Sequence, residues 1–242
     1  MRVAALYDVH GNLPALEAVL TEVEGEAVDL IVVGGDFVGP LPVLERLRSL
    51  GDRVRFIRGN ADRELVAPGP AREGGAPQAV LDFTRSQLSE EELAFVSELP
   101  ERLELEIAAL GRVLFCHATP RSDEEIVTFE TPQERFDEIF GGLGFNVVVC
   151  GHTHMQFERF AGSTRVANAG SVGMAYEDVA GAFWALLGSD LEIGPDVELR
   201  MTRYDVESAL KEIERAGFPD EWPQASRDEA TAFFERIARD RA

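Results

Sequence analysis

The sequence is short of positive charge. Of 242 residues, 23 are basic and 44 acidic, giving a formal net charge of −21, and Lys211 is the single lysine. A surface of that sign repels polyphosphate backbones and anionic headgroups, which argues against general nucleic-acid binding and electrostatic membrane attachment. The two cysteines, Cys116 and Cys150, make no disulfide framework, and such sparse usage suits a reducing compartment. Long apolar runs are missing too. Residues 179–187 are the longest and 147–150 another such run, both far below the ~20 needed to span a bilayer. The apolar N-terminal stretch stops at Asp8, too short for a secretion signal, so the expected location is the cytoplasm. What is present is ordinary for a globular chain: 45% hydrophobic and 28% charged residues, enough to bury a core.

Hydrophobic patterning predicts an alternation at the start. Residues 2–7, 30–33 and 54–57 read as short buried strands. Between them, Leu13, Leu16, Val19, Leu20 and Val23 fall on one helical face behind Pro14, and residues 42–50 form a second helix stopped by Gly51. Strand–helix–strand–helix–strand implies a parallel sheet with right-handed crossovers. Residues 67–77 are rich in proline and glycine and read as a loop. A helical excursion follows over 78–99, broken at Ser89, so that about 67–100 stands apart from the sheet. A hairpin is expected over 103–108 and 112–116, a helix over 132–140 and a buried strand over 147–150. Residues 155–203 read as antiparallel strands, and helices are expected over 205–216, with Asp205 as N-cap, and from Arg227 onward. The whole of 1–242 is read as one domain, with C-terminal helices over about 205–242. Residues 218–224, with Trp222 between two prolines, suggest a docking loop.

Chemistry collects at strand ends. The four histidines are His10, His117, His152 and His154, and each follows a predicted buried strand within four residues. Asp8, Asp36 and Asn60 follow the first three strands in the same way. In open α/β sheets, ligands bind beyond the carboxyl ends of the strands, so these seven residues should converge on one edge. Taken singly each has an ordinary explanation: an Asp after a strand is usually a turn or helix cap, and two residues apart on a strand share a face whatever their role. Their coincidence at one topological place is what points to a site. Imidazole and carboxylate together suit borderline divalent metals, and a carboxylate can bridge two of them.

These motifs resemble those of the calcineurin-like metallophosphoesterases, whose blocks D-x-H, G-D, G-N-x-D/E, H and G-H-x-H stand here as 8–10, 35–36, 59–62, 117 and 151–154. Residues 168–173 (Asn-Ala-Gly-Ser-Val-Gly) and the opening 8–16 resemble segments of the small bacterial, phosphodiesterase-like branch. The resemblance implies an α/β fold, a four-layer αββα sandwich of two mixed β-sheets flanked by helices. It implies two divalent metal ions per chain, manganese, iron or zinc. Asp8, His10, Asp36 and His154 would hold one, and Asp36, Asn60, His117 and His152 the other, with Asp36 bridging. Asp36, Asn60 and His117 are the residues expected to carry catalysis, by attack of a metal-bridging hydroxide on a phosphoester.

One position departs from the pattern. Many members carry His after the Asn of the third block, where it stabilises the transition state or protonates the leaving oxygen; here that residue is Ala61. General acid catalysis is worth ~10²–10⁴ in rate, so a phosphodiester with a good leaving group is the expected substrate. Asp62, the usual partner of that His, is left with a turn or supporting role. Asn12, Arg58 and Arg63 lie beside the motif loops and are candidates for substrate contact, Asn12 equally for holding the first loop, whereas Arg121 reads as a surface residue. Cys116 and Cys150 read as buried reduced thiols rather than ligands. The expected partner is a small phosphoester, with no membrane and with a homo-oligomer possible. Competing readings are a phosphomonoesterase or protein phosphatase, a dinucleoside-polyphosphate hydrolase, or a metal-bound but catalytically silent module.

Overall fold

The computed structural model describes residues 1–69, 75–108, 110–190, 194–219 and 225–241. Three short strands, β1 (Val3–Leu6), β2 (Leu30–Val33) and β3 (Val54–Phe56), are separated by helices α1 (Leu13–Gly25) and α2 (Val43–Arg48). They pair in parallel, β1 with β2 and β2 with β3, as the alternation predicts. Helix α1 begins at the expected place: Asn12 is its N-cap, the Oδ1 accepting from the Ala15 N–H at 3.2 Å, and Pro14 lies in the first turn. Helix α2 ends before Gly51, which instead opens a 3₁₀ turn (Gly51–Arg53).

A seven-residue helix, α3 (Asn60–Val66), follows directly on the third block. It was not foreseen, because its sequence shows no apolar periodicity. The excursion resolves into α4 (Gln78–Ser86) and α5 (Glu90–Ser97) with Ser89 as the N-cap between them. Then come β4 (Arg102–Ile107), β5 (Gly111–Cys116), α6 (Gln133–Phe140), β6 (Val147–Cys150), β7 (Gln156–Ala161), β8 (Thr164–Ala169), β9 (Ala182–Asp190), β10 (Gly194–Thr202), α7 (Val206–Arg215) and α8 (Arg227–Asp240). Among the described residues, no helix is long and apolar enough to cross a membrane. The docking loop expected over 218–224 lies, from residue 220 onward, outside the described residues.

The strands form two mixed sheets of five, in the orders β10-β9-β1-β2-β3 and β4-β5-β6-β8-β7. The antiparallel second half expected from the sequence is therefore corrected. Hairpins β7–β8 and β9–β10 are antiparallel, but β8 runs parallel to β6, and the β9–β10 hairpin crosses over to complete the first sheet through β1. Turn chemistry reports which neighbouring strands form a hairpin; it carries no information on which distant strand the hairpin joins.

Period-two alternation sorts the side chains into three apolar layers. Ala4 and Leu6 of β1 face α1 and α2, with Val19, Leu47 and Trp184. Val3, Ala5 and Tyr7 face the second sheet, meeting Val113, Phe115, Val147 and Val149. Leu114, Cys116, Val148 and Cys150 face outward onto α6, against Phe136 and Phe140. Helix, sheet, sheet and helix thus stack as four layers. Both thiols are free and buried on the α6 side, where burial pushes their ionisation well up, so they stay protonated and apart from the strand-end residues.

Tyr7 ties the sheets together: its ring is fully buried and its hydroxyl donates to the Val149 carbonyl at 2.9 Å. A Cβ on Gly34 would lie 2.0 Å from that ring, so only glycine fits there. Tyr7→Phe is expected to lower stability by about 1 kcal/mol, the net worth of one buried hydrogen bond. A urea midpoint unchanged from wild type would contradict it.

Candidate metal centre

Strands β1, β2 and β3 run parallel, as do β5 and β6, so their C-terminal ends share an edge. Asp8, Asp36, Asn60, His117 and His152 follow those ends, and the loops that carry them are laced together. The Asp8 N–H donates to the Gly35 carbonyl, the His10 N–H to the Asp36 carbonyl and the Gly151 N–H to the His117 carbonyl, at 3.1, 2.9 and 2.8 Å. The 168–173 segment fastens the first loop from behind. Ser171 Oγ donates to the Asp8 carbonyl at 2.7 Å, and Asn168 Nδ2 donates to the Gly151 carbonyl at 2.7 Å.

The backbone at these residues is unusual. Asp8, His10, Asp36, His152 and His154 all have left-handed conformations, φ between 47° and 69°, and Ala27 is the only other non-glycine of that kind among the described residues. Asp and His tolerate this region better than most, yet each costs of order 1 kcal/mol, and such strain gathers at functional sites. Two glycines make the convergence possible. Gly35 has φ +97°, and a Cβ there would lie 2.5 Å from the Gly59 nitrogen; a Cβ on Gly59 would lie 2.1 Å from Asp36 Oδ1.

Among the described residues, two close groups of ligand atoms result. Asp8, His10 and His154 form one and Asp8, Asp36 and His117 the other, each with its donor atoms within 4.8 Å of one another. Asp8 is thus common to both, where the resemblance implies Asp36 as the shared carboxylate. The difference has a local cause. Asp36 Oδ1 accepts from the Ala61 N–H at the start of α3 at 2.8 Å, and its Oδ2 turns to His117 Nε2 at 3.4 Å. Asp8 Oδ1 meanwhile faces His154 Nε2 at 3.3 Å and His10 and His117 Nε2 at 3.8 Å each. Asn60 Oδ1 lies 3.1 Å from His117 Nε2. His152 falls outside both groups; its ring packs edge-on against His117 with centroids 5.2 Å apart, and its backbone N–H donates to Asp8 Oδ2.

The imidazoles are held by their far nitrogens. His117 Nδ1 faces the Gly34 carbonyl at 2.9 Å and His154 Nδ1 the Met174 carbonyl at 2.7 Å. A carbonyl only accepts, so both Nδ1 atoms are assigned the hydrogen, and the Nε2 lone pairs point inward. Inside, His117 Nε2 meets acceptors only, the Asn60, Asp36 and Asp8 oxygens, while His154 Nε2 faces Asp8 Oδ1 at 3.3 Å and His10 Nε2 at 3.1 Å, the latter a donor or an acceptor according to the His10 tautomer. Asp8 Oδ1 is buried with no hydrogen-bond partner. The lone pairs crowded around His117 require positive charge between them, a proton or a cation. The carboxylates deepen that well: burial disfavours charge on His117, but Asp36 and Asp8 outweigh it and raise its pKa to about 10. Burial, reinforced by the neighbouring His154 and His117 respectively, holds His10 and His152 down to about 4. A mixed set of carboxylate, amide and imidazole donors with second-hydrogen clamps fits a borderline divalent cation.

The sequence-derived substrate contacts fare differently. Asn12 is buried at the head of α1, its Nδ2 donating to the Gly173 carbonyl at 2.9 Å and the Tyr204 hydroxyl at 3.2 Å; its amide holds the first loop. Arg58 pairs with Glu101, and Arg63 with Asp123 at 2.7 Å and Glu124. Neither arginine lines the cavity of about 300 Å³ that opens over the centre. Arg121 is a half-exposed partner of Glu125 and Glu138. Several functional contacts had no sequence signal. The Gly34 and Met174 carbonyls act through backbone, and Tyr176, stacked on His154 with centroids 5.0 Å apart, stands outside the motif blocks. The 78–99 excursion proves to lie beside the centre, with Val80, Leu81 and Thr84 in the cavity wall.

Fold and centre together define a metal-dependent phosphoesterase scaffold. The chain belongs to the calcineurin-like phosphoesterase superfamily, whose domain matches residues 1–187. It is 25% identical over 240 residues to an uncharacterized protein of Methanocaldococcus jannaschii, across 91% of this chain and 94% of that one. The crystal structure of a metallophosphoesterase from Sphaerobacter thermophilus has the same fold, with TM-score 0.71 and 23% identity over 96% of this chain and 98% of that one. A symmetrical bis(5'-nucleosyl)-tetraphosphatase of Sodalis glossinidius is 42% identical over 65 residues, 25% of this chain and 23% of its own length.

Proposed function

We propose that this chain hydrolyses phosphodiesters with two divalent cations, of which manganese, iron and zinc suit the donors. Asp8, His10, Asp36 and His154 would hold one and Asp36, Asn60, His117 and His152 the other, with Asp8 bordering both. When bound, such cations polarise phosphoryl oxygens and make a water acidic enough to ionise near neutral pH. The chain's own residues do the rest. The Gly34 and Met174 carbonyls fix the His117 and His154 rings so that Nε2 points inward. Asn60 contributes a neutral oxygen, which leaves the loaded centre more positive toward an anionic ester than a third carboxylate would.

The observation that carries the diester reading is Ala61 in the cavity wall. Its methyl group donates no proton, so the leaving oxygen must depart on its own acidity. The second reading, a dinucleoside-polyphosphate hydrolase, draws on the 42% identity over 65 residues; among the described residues, no lysine or arginine lines the cavity to receive further phosphates.

The test is to strip the protein with chelator and restore Mn²⁺. Bis-aryl phosphate, mono-aryl phosphate, an alkyl monoester and a bis(5'-nucleosyl) tetraphosphate are then assayed together. Metal-dependent cleavage of the diester should exceed that of the monoester, with the alkyl monoester slower by ~10² or more for want of a general acid. Comparable alkyl monoester turnover would overturn the reading of Ala61. Metal binding without turnover of any ester would favour the silent module.

A further inference from the structure

The cavity over the metal centre has a floor of ligands and walls of another character. His10, Asp36, Asn60 and His152 form the floor, and the walls are apolar, drawn from parts of the chain far apart in sequence. Leu81 comes from the 78–99 excursion, Tyr176 from the loop after β8, and Phe218, Phe233 and Phe234 from the C-terminal region. Those phenylalanines lie beyond residue 187, where the family match ends. We infer that α8, with Tyr176, forms a pocket for an uncharged aromatic ester group of the substrate, making the C-terminal helix the specificity element of this phosphoesterase. The inference rests on the phosphodiesterase reading and names the kind of diester.

Three observations support it. First, the aromatic rings form a continuous path from the metal centre outward. Tyr176 stacks on His154 at 5.0 Å and 21°, Phe234 lies 6.3 Å from Tyr176, and Phe233 lies 5.5 Å from Phe234. Aromatic faces and edges at such spacing favour another ring among them. Second, α8 is held firmly enough to present a fixed wall. Ser226 caps it reciprocally with Glu229. Glu235 Oε1 accepts from the Thr128 and Thr131 hydroxyls at 2.6 and 3.2 Å. Arg227 pairs with Glu177 and donates to the Gln156 carbonyl at 2.6 Å. Ala230 and Ile237 are buried against Ile126 and Met155. Third, the lining favours an apolar group: among the described residues, none of those lining this cavity is lysine or arginine, and Arg241 belongs to the lining of the adjoining pocket over Asn60 and His152, which it shares with Glu64 and Glu124. A largely apolar cavity with a few convergent polar groups at one end is the usual form of a small-molecule site.

Phe233 is 39% exposed and Phe234 8%, so Phe233→Ala tests the wall with little cost to folding, and Phe234→Leu keeps the packing of α8 while removing a ring. The probes are phenylphosphonate and methylphosphonate, each a single organic group on one phosphoryl head. Both are titrated calorimetrically into the full-length, Mn²⁺-loaded protein, and bis(p-nitrophenyl) phosphate turnover is measured in parallel. Wild type should bind the phenyl compound about tenfold more tightly than the methyl compound. That ratio should fall toward one in both variants and stay at the wild-type value in Phe160→Ala, an exposed ring on β7 away from the cavity. Equal affinity for the two phosphonates in wild type, or an unchanged ratio in both variants, overturns the inference while diester turnover persists. Absence of metal-dependent diester turnover in wild type defeats the functional reading itself.

Discussion

Alanine at Asp36 is expected to lower metal-dependent phosphoester turnover by a factor on the order of 10³ or more while leaving the fold in place. Metal-ion catalysis stabilises the transition state by several kcal/mol, and each 1.36 kcal/mol is about tenfold in rate. Asp36 sits at the end of β2 in a left-handed conformation, with Oδ1 held by the Ala61 N–H and Oδ2 toward His117. Its removal deprives His117 of the flanking carboxylate that most favours positive charge there. The core is untouched, because the Asp36 side chain lies at the floor of an open cavity. Thermal melting with and without Mn²⁺ supplies an independent readout. A cation at a hundredfold its dissociation constant stabilises a protein by about 2.7 kcal/mol, so wild type should show a clear metal-dependent rise in Tm and the variant little. A variant that keeps activity within tenfold of wild type would remove Asp36 from the centre.

Asp62 should be the second sensitive position, for a different reason. It is fully buried, does not line the cavity over the centre, and its Oδ2 accepts from the Asp36 N–H at 2.6 Å and the Gly59 N–H at 3.0 Å. One carboxylate oxygen therefore pins the loop after β2 to the first turn of α3, which sets where Asp36 and Asn60 stand. Burial and the neighbouring Asp36 raise its pKa to about 7. Asp62→Ala leaves two buried donors without an acceptor, at about 1–3 kcal/mol each. Turnover should fall by about 10–100-fold, the usual effect of losing a group that orients ligands. Asp62→Asn should restore most of both, since an amide oxygen can accept both hydrogens. Equal behaviour of the two variants in melting and turnover would show that this oxygen is not what positions the loop.

The supporting role expected for Asp62 thus becomes a specific one, and the comparison shows where sequence reasoning stops. The strands up to β3 were readable because each belongs to a short, mostly apolar run with glycine within a few residues of its end. The caps at Ser89 and Asp205 were readable because a polar side chain just before a helical stretch satisfies local donors. The arginine candidates failed to reach the cavity because the ion-pair partners of Arg58 and Arg63, Glu101 and Asp123, lie about forty and sixty residues away, and nothing local foretells such a pairing. Asn12 was ambiguous for the same reason: its second partner, Tyr204, stands 192 positions later.

While the mixed two-sheet α/β class came only through the resemblance of the motifs to a known family, the sequence by itself determined the strands and, α3 apart, the helices of the first half and the identity of the residues that gather at the strand ends. Those depend on local periodicity and on the geometric fact that parallel strands share a carboxyl edge. The tertiary structure alone decided which strands the late hairpins join, that Asp8 rather than Asp36 stands between the two close ligand groups, and that α8 closes the cavity. Each of these depends on contacts between segments distant in the chain. They are settled by which apolar faces can be buried together and which buried oxygens find a donor, quantities that no local stretch of residues contains.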